Sequence, residues 1–361
     1  MKKRMAEIEL LRIVSMLMIV LIHLLTKTSL LNELQLSQPV YYVSWFLYGI
    51  CMTGVNCYIL ISGYFGDRTE FKLEKLFQLY FQVWFYSVVI SLVMWGIGVE
   101  RASGWREVLL PITNREYWFA TVYIGLYCLI PFLNHIQWEE RQLRKLLIIL
   151  GIMFSVIPTL LHANDWLEDG GAYGIVWFVF LYLLGVYIKK FYQVSESKAG
   201  LWYLIAICII PISKFIIVWC GRCQNIISQE TVAKVSEVLY CFNSLPALLA
   251  SVFLFVFFCK IKIRNEVCIR MINFVSSLTF GIYLIHNNRN FSRFLWEKLR
   301  VNYWMVEREN AGVVLGILIC VFIGCGTIEW IRQWLFKVLR INQLIKRITL
   351  FAEEVPVLKK L

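Results

Sequence analysis

The sequence predicts an all-α, polytopic integral membrane protein: a bundle of about ten transmembrane helices with both termini in the cytoplasm. Three observations predict it. Of 361 residues, 59% are apolar, and the mean hydropathy of +0.66 exceeds what soluble domains carry. Apolar runs recur from end to end, near the roughly 20 residues that a helix needs to cross hydrocarbon. Lysine and arginine divide unevenly between alternate connecting segments. Length alone would allow two domains, but no Pro/Gly/Ser-rich linker and no short-period repeat divides the chain. Residues 1–361 therefore read as one membrane domain, with 332–361 as a short basic cytoplasmic tail.

The first span, 10–31, is expected to stay uncleaved, because Glu7 and Glu9 interrupt its basic leader and no small-x-small site follows. It carries Glu9, Arg12 and His23. Eleven steps along a helix turn through roughly 1100°, so Arg12 and His23 share a face about 16 Å apart. Glu9, three residues before Arg12, flanks that stripe and is positioned to pair with it. Ionisable groups are costly in a bilayer and mark functional sites there by default. Arg12 can reach the cytoplasmic boundary, whereas His23 lies too deep to snorkel to it. A buried neutral imidazole offers one free lone pair, suited to a general base or a nucleophile; its bland role is a polar link between helices.

The second span, 41–63, has Gly54 and Gly63, which permit close helix approach, and Asn56, a buried polar group that needs a partner. Asn56 is a candidate for substrate contact as well as for helix glue. Arg68, Lys72 and Lys75 follow on the cytoplasmic side. With Arg12, whose planar fork suits phosphate, they are candidates for holding an anionic cytosolic ligand. The third span, 78–98, rests on apolar length alone. The fourth, 117–136, opens Tyr117-Trp118-Phe119 and continues through Tyr123 and Tyr127 to Pro131. Trp and Tyr at a span end usually form an interfacial belt, and Trp118 is also a candidate substrate-stacking residue.

Spans 145–163, 174–190, 200–220 and 239–258 follow from apolar length, with Lys214 inside the seventh and a lone Cys220/Cys223 pair at its outer end. The ninth, 273–290, presents Ser276, Thr279, Tyr283, Asn287 and Asn290 on one face, with His286 beside that face toward the outer surface. Such a stripe is helix glue or the wall of a wet cavity. The tenth span is 310–331.

With the N-terminus inside, 24 of the 36 lysines and arginines fall on the cytoplasmic side, 11 on the outer side, and Lys214 within a span; the 24 acidic residues split evenly. That bias orients the bundle and attracts anionic lipid. No soluble basic domain exists to bind nucleic acid. Most of the eleven cysteines lie in apolar runs, and with no second CxxC and no nearby histidine no metal site is expected. There is no GxSxG elbow, HExxH, Walker loop or dinucleotide fingerprint.

Four segments together resemble the membrane-bound acyltransferase family 3. EIELLRIVSMLMIVLIH is similar to its first span, in which an arginine, ten residues and a histidine follow one another. GVNCYILISGYF, YWFATVYIGLYCLIPFLN and FGIYLIH resemble its second-span, Trp-Phe and late-span motifs. The resemblance implies a bacterial inner-membrane O-acyltransferase. Its donor would be acetyl-CoA or another acyl-CoA, and its acceptor a hydroxyl of an envelope or surface polysaccharide. It places Arg12 and His23 on the family's essential pair; on the polar stripe of the ninth span, Tyr283 and His286 are candidates for substrate contact. The loop after the second span departs from the family: Arg68, Lys72 and Lys75 stand where clustered arginines and a proline are usual. The short tail implies that the bundle acts alone or with a separate partner. The rival function is a transporter or flippase for a glycan or lipid-linked intermediate, with the polar stripes lining a pathway. Acyl group, acceptor and oligomeric state are left open.

Overall fold

The computed structural model describes residues 5–353 except 29, 36, 67–70, 164, 168–169, 193–197, 225–231 and 233–234. Regular structure among these residues is helical throughout. The principal helices are α1 (Ala6–Lys27), α2 (Pro39–Cys51), α3 (Gly54–Gly66), α4 (Leu73–Gly96), α5 (Trp118–His135), α6 (Glu140–Leu161), α7 (Ile175–Lys190), α8 (Ala199–Gln224), α9 (Leu245–Lys260), α10 (Glu266–Asn287), α11 (Arg289–Leu299), α12 (Ala311–Val338) and α13 (Ile341–Glu353).

Among the described residues, eight stretches are long and apolar enough to cross a membrane: α1, α2 with α3, α4, α5, α6, α8, α10 and α12. The other two expected spans, α7 and α9, have 16 residues each. They rise only about 24 Å against a hydrocarbon core of about 30 Å, and both are largely buried in the bundle.

α1 starts at Ala6, earlier than expected, which brings Glu7 and Glu9 into its first turn, where the helix dipole favours acid. The expected second span is two helices broken at Met52–Thr53. Thr53 Oγ1 bonds back to Ile50 O at 3.0 Å, and Gly54 opens α3 against α1, where a Cβ would stand 3.1 Å from Ser15 O. Gly63 has the close-packing role expected of it. A Cβ there would overlap the Tyr182 carbonyl, so α3 and α7 meet backbone to backbone. α10 ends at Asn287, short of the expected 290, because Asn288 leaves helical geometry and caps α11 with its side chain. Asn290 therefore leaves the polar stripe; it bonds Ser91 Oγ and the backbone of Ala102 and Ser103. α12 continues to Val338, so the tail begins later than 332 and carries the amphipathic helix α13.

α1 and α10 run parallel: Glu7 accepts from Ile263 N and Glu9 from Ser276 Oγ near one end, while His23 meets His286 and Lys27 meets Asn287 at the other. α12 is antiparallel to α10, since Gln333 bonds Ser277 O and Glu329 abuts Gly281. The basic segment 260–270 and α13 thus lie at the Glu7 end of the bundle. Glu329, buried between α4, α10 and α12, is satisfied by Arg332, Gln333 and Tyr86 Oη at 2.6–2.9 Å. A buried carboxylate is tolerated only with such pairing.

Candidate active site

His23 and His286 form the centre of the site. The Nδ1 of His23 lies 2.8 Å from the Nε2 of His286, and the Nδ1 of His286 lies 2.6 Å from Ile282 O. These partners assign the protons. A carbonyl only accepts, so Nδ1 of His286 carries hydrogen and, with the ring neutral, its Nε2 is a lone pair. That lone pair makes Nδ1 of His23 the donor. The remaining nitrogen, Nε2 of His23, keeps its lone pair, and no partner for it is found among the described residues. His286 is fully buried.

His23 lines a cavity of about 340 Å³ with Thr26, Tyr48, Met52, Tyr58, Trp118 and Tyr283 among its walls. Such a volume suits a small ligand, and its mixture of apolar wall with a few polar groups is typical of ligand sites. The break between α2 and α3 puts Met52 into the wall. Trp118 lines the cavity with its ring against Tyr173 and Phe242. Tyr58 and Tyr283 contribute their rings to the wall, and their hydroxyls are buried behind it.

Glu9 and Arg12 lie near the opposite end of α1 and do not line this cavity. Glu9 is buried, accepts Ser276 Oγ at 2.6 Å, and stands 3.7 Å from the Arg12 guanidinium. It ties α1 to α10 and orients Arg12. The Nε of Arg12 is buried and unpartnered, while about a third of the side chain is exposed. Arg12 thus retains hydrogen-bonding capacity for an anion. Lys72 and Lys75 are exposed, and Lys72 meets Tyr127 Oη through its backbone. Arg68 lies outside the described residues.

Asn56 does not line this cavity. Its Nδ2 donates to Phe242 O and Ser251 Oγ, and its Oδ1 accepts from Trp177 Nε1. Both amide ends are engaged in joining α3, α7 and α9. Asn287 and Lys27, i,i+4 from His23, form a 2.6 Å bond. Lys27, Tyr48, Tyr58, Tyr240 and Phe242 were not singled out by sequence. Lys27 carried a usable signal, its helical spacing from His23. Tyr240 and Phe242 carried none, because they fall in an expected span that forms turns ahead of α9.

The family model described as an acyltransferase domain, that of acyltransferase family 3, matches residues 5–339. Neither the curated proteins nor the solved structures contain a match. The match covers nearly the whole chain, from the Glu9–Arg12 end through both histidines, so the chain belongs to this family and is a multi-pass membrane acyltransferase.

Proposed function

Starting from a membrane acyltransferase, we propose that the chain moves an acyl group, most simply acetyl, from cytosolic acyl-CoA to a hydroxyl of an envelope or surface glycan at a bacterial plasma membrane. The free Nε2 of His23, a residue that lines the cavity and is held in register by His286, carries this reading. The lysine and arginine bias supports a cytoplasmic Arg12 end. There Arg12, assisted by Lys72, Lys75 and Arg68, would hold the nucleotide phosphates, and the pantetheine arm would carry the thioester along the roughly 16 Å toward His23.

The reaction then has a role for each group. The Nε2 of His23 accepts the proton of the acceptor hydroxyl. The oxygen attacks the thioester carbonyl carbon, a C–O bond forms, the C–S bond breaks, and the CoA thiolate recovers the proton from His23. His286 steadies the ring while the charge exists. Trp118 offers a face for a sugar ring.

The test is full-length protein in proteoliposomes with acyl-labelled acetyl-CoA and a mixed envelope-glycan fraction. Stoichiometric CoA thiol release and label on glycan oxygen are expected. Glycan crossing the bilayer without thioester cleavage would replace this reading with transport. Label retained on His23 in the absence of glycan would make His23 an acyl carrier instead of a base.

A further inference from the structure

A second cavity lies against the end of α1 that carries His23. It has a volume of about 570 Å³ and is walled by Lys27, Arg289, Ser292, Arg293, Trp296 and Arg300 among others. The charges are not all compensated. Arg289 Nε is 3.5 Å from Glu116, and Arg293 is shared between Glu297 at 3.0 Å and Glu100 at 3.4 Å. Lys27 and Arg300 have no carboxylate partner among the described residues. Lys27 Nζ donates to Asn287 Oδ1 at 2.6 Å and Ser292 Oγ at 3.2 Å, which leaves one of its three N–H groups available. Arg300 packs only its guanidinium face on Tyr303, 4.7 Å from the ring centre, leaving its edge donors free.

This concentration of charge runs against the orientation bias. Arg289, Arg293, Lys298, Arg300 and Arg308 make up much of the basic content of the outer side, where such residues are disfavoured. Lys27 also sits one turn beyond His23 on the same helix, with Cβ atoms about 6 Å apart at this spacing, a separation of about one sugar ring.

We infer that this cavity is the acceptor's anion subsite: it binds a carboxylate or phosphate carried by the glycan about one sugar unit from the hydroxyl presented to His23. The acceptor is thereby an acidic glycan. The inference rests on the acyl-transfer reading for the identity of the acceptor, but the binding it predicts stands apart from turnover. Lys27 and Arg300 make the charge-assisted contacts, Arg289 and Arg293 raise the local potential, and Trp296 supplies an apolar wall.

Calorimetry on the full-length protein in detergent micelles tests this with three probes: a uronic acid oligomer, the same oligomer with its carboxyls reduced to alcohols, and a neutral oligomer bearing one phosphate monoester. Either or both anionic probes should bind at least about tenfold more tightly than the reduced one, the worth of one charge-assisted contact. Affinity should fall with added salt. Preference between the two anionic probes identifies the source of the oxyanion. Arg300→Gln and Lys27→Gln should each weaken the anionic probes severalfold, and Lys298→Gln, outside the cavity, should not. Equal affinity for the reduced oligomer, or salt-independent binding, overturns the inference without needing a variant. CoA release with a neutral glycan and no anion binding would remove this inference alone. Anion binding without thioester cleavage would remove the acyl-transfer reading and leave the site.

Discussion

His23 has a usable lone pair because His286 and a backbone carbonyl dictate where its proton sits. His23→Gln should therefore lower kcat by about a hundredfold or more, since an amide cannot take the hydroxyl proton and general-base assistance is worth roughly 10²–10⁴. A correctly inserted His23→Gln protein with full glycan acylation would refute the assignment. His286 is a positioning residue. His286→Leu removes the acceptor for Nδ1–H and frees His23 to adopt either tautomer, so kcat should fall with little change in KM for acyl-CoA. His286→Gln, which restores an acceptor, should recover part of it. Equal losses for Leu and Gln, in kcat and KM alike, would instead indicate a packing role. Arg12 should divide differently: Arg12→Ala raises KM for acyl-CoA by about tenfold, as loss of a charged hydrogen bond does, and Arg12→Lys, which keeps charge but not the fork, falls between. Unchanged donor kinetics in folded Arg12→Ala would remove it from the donor site.

At the scale of elements, the broken α2–α3 span and the α3–α7 contact shape the cavity together. The break turns Met52 into the wall, and Gly63 lets α7 approach closely enough for Trp177 to reach Asn56. Gly63→Ala puts a methyl group onto the Tyr182 carbonyl and must part the helices. Detergent-extracted protein should melt several degrees lower and aggregate sooner, which a thermal size-exclusion assay reads. Asn56→Ala leaves an indole N–H and a buried carbonyl without partners, a loss of about 1–3 kcal/mol. Its effect should appear in melting temperature, with acceptor KM unchanged at temperatures where the protein is folded. A raised acceptor KM in folded Asn56→Ala would return it to the substrate site.

For the whole molecule, the parallel α1 and α10 and the antiparallel α12 put the N-terminus, the segment 260–270 and the tail at one end, and the basic cavity at the other. On the orientation proposed from the charge bias, the first end is cytoplasmic. A membrane-impermeant thiol reagent applied to intact cells should label a single cysteine placed at Arg293 and spare one placed at Arg264 until the cells are opened. The reverse pattern would invert the protein and exchange donor and acceptor faces.

The sequence by itself determined the helical membrane class, the first-span stripe with Arg12 and His23, and the close approach at Gly63, because each depends on local composition or helical period. The family, too, was legible in the order of four short motifs. Tertiary structure alone decided the rest. The contact of His286 with His23 depends on α1 and α10 packing together across 263 residues of sequence, and saturation of Asn56 depends on partners 121 to 195 residues away. Tyr240 and Phe242 line the cavity because the first residues of an expected span form turns ahead of α9. Periodicity reports which face of one helix is polar. It carries no information on which other helix that face meets, and the chemistry of this site resides in that meeting.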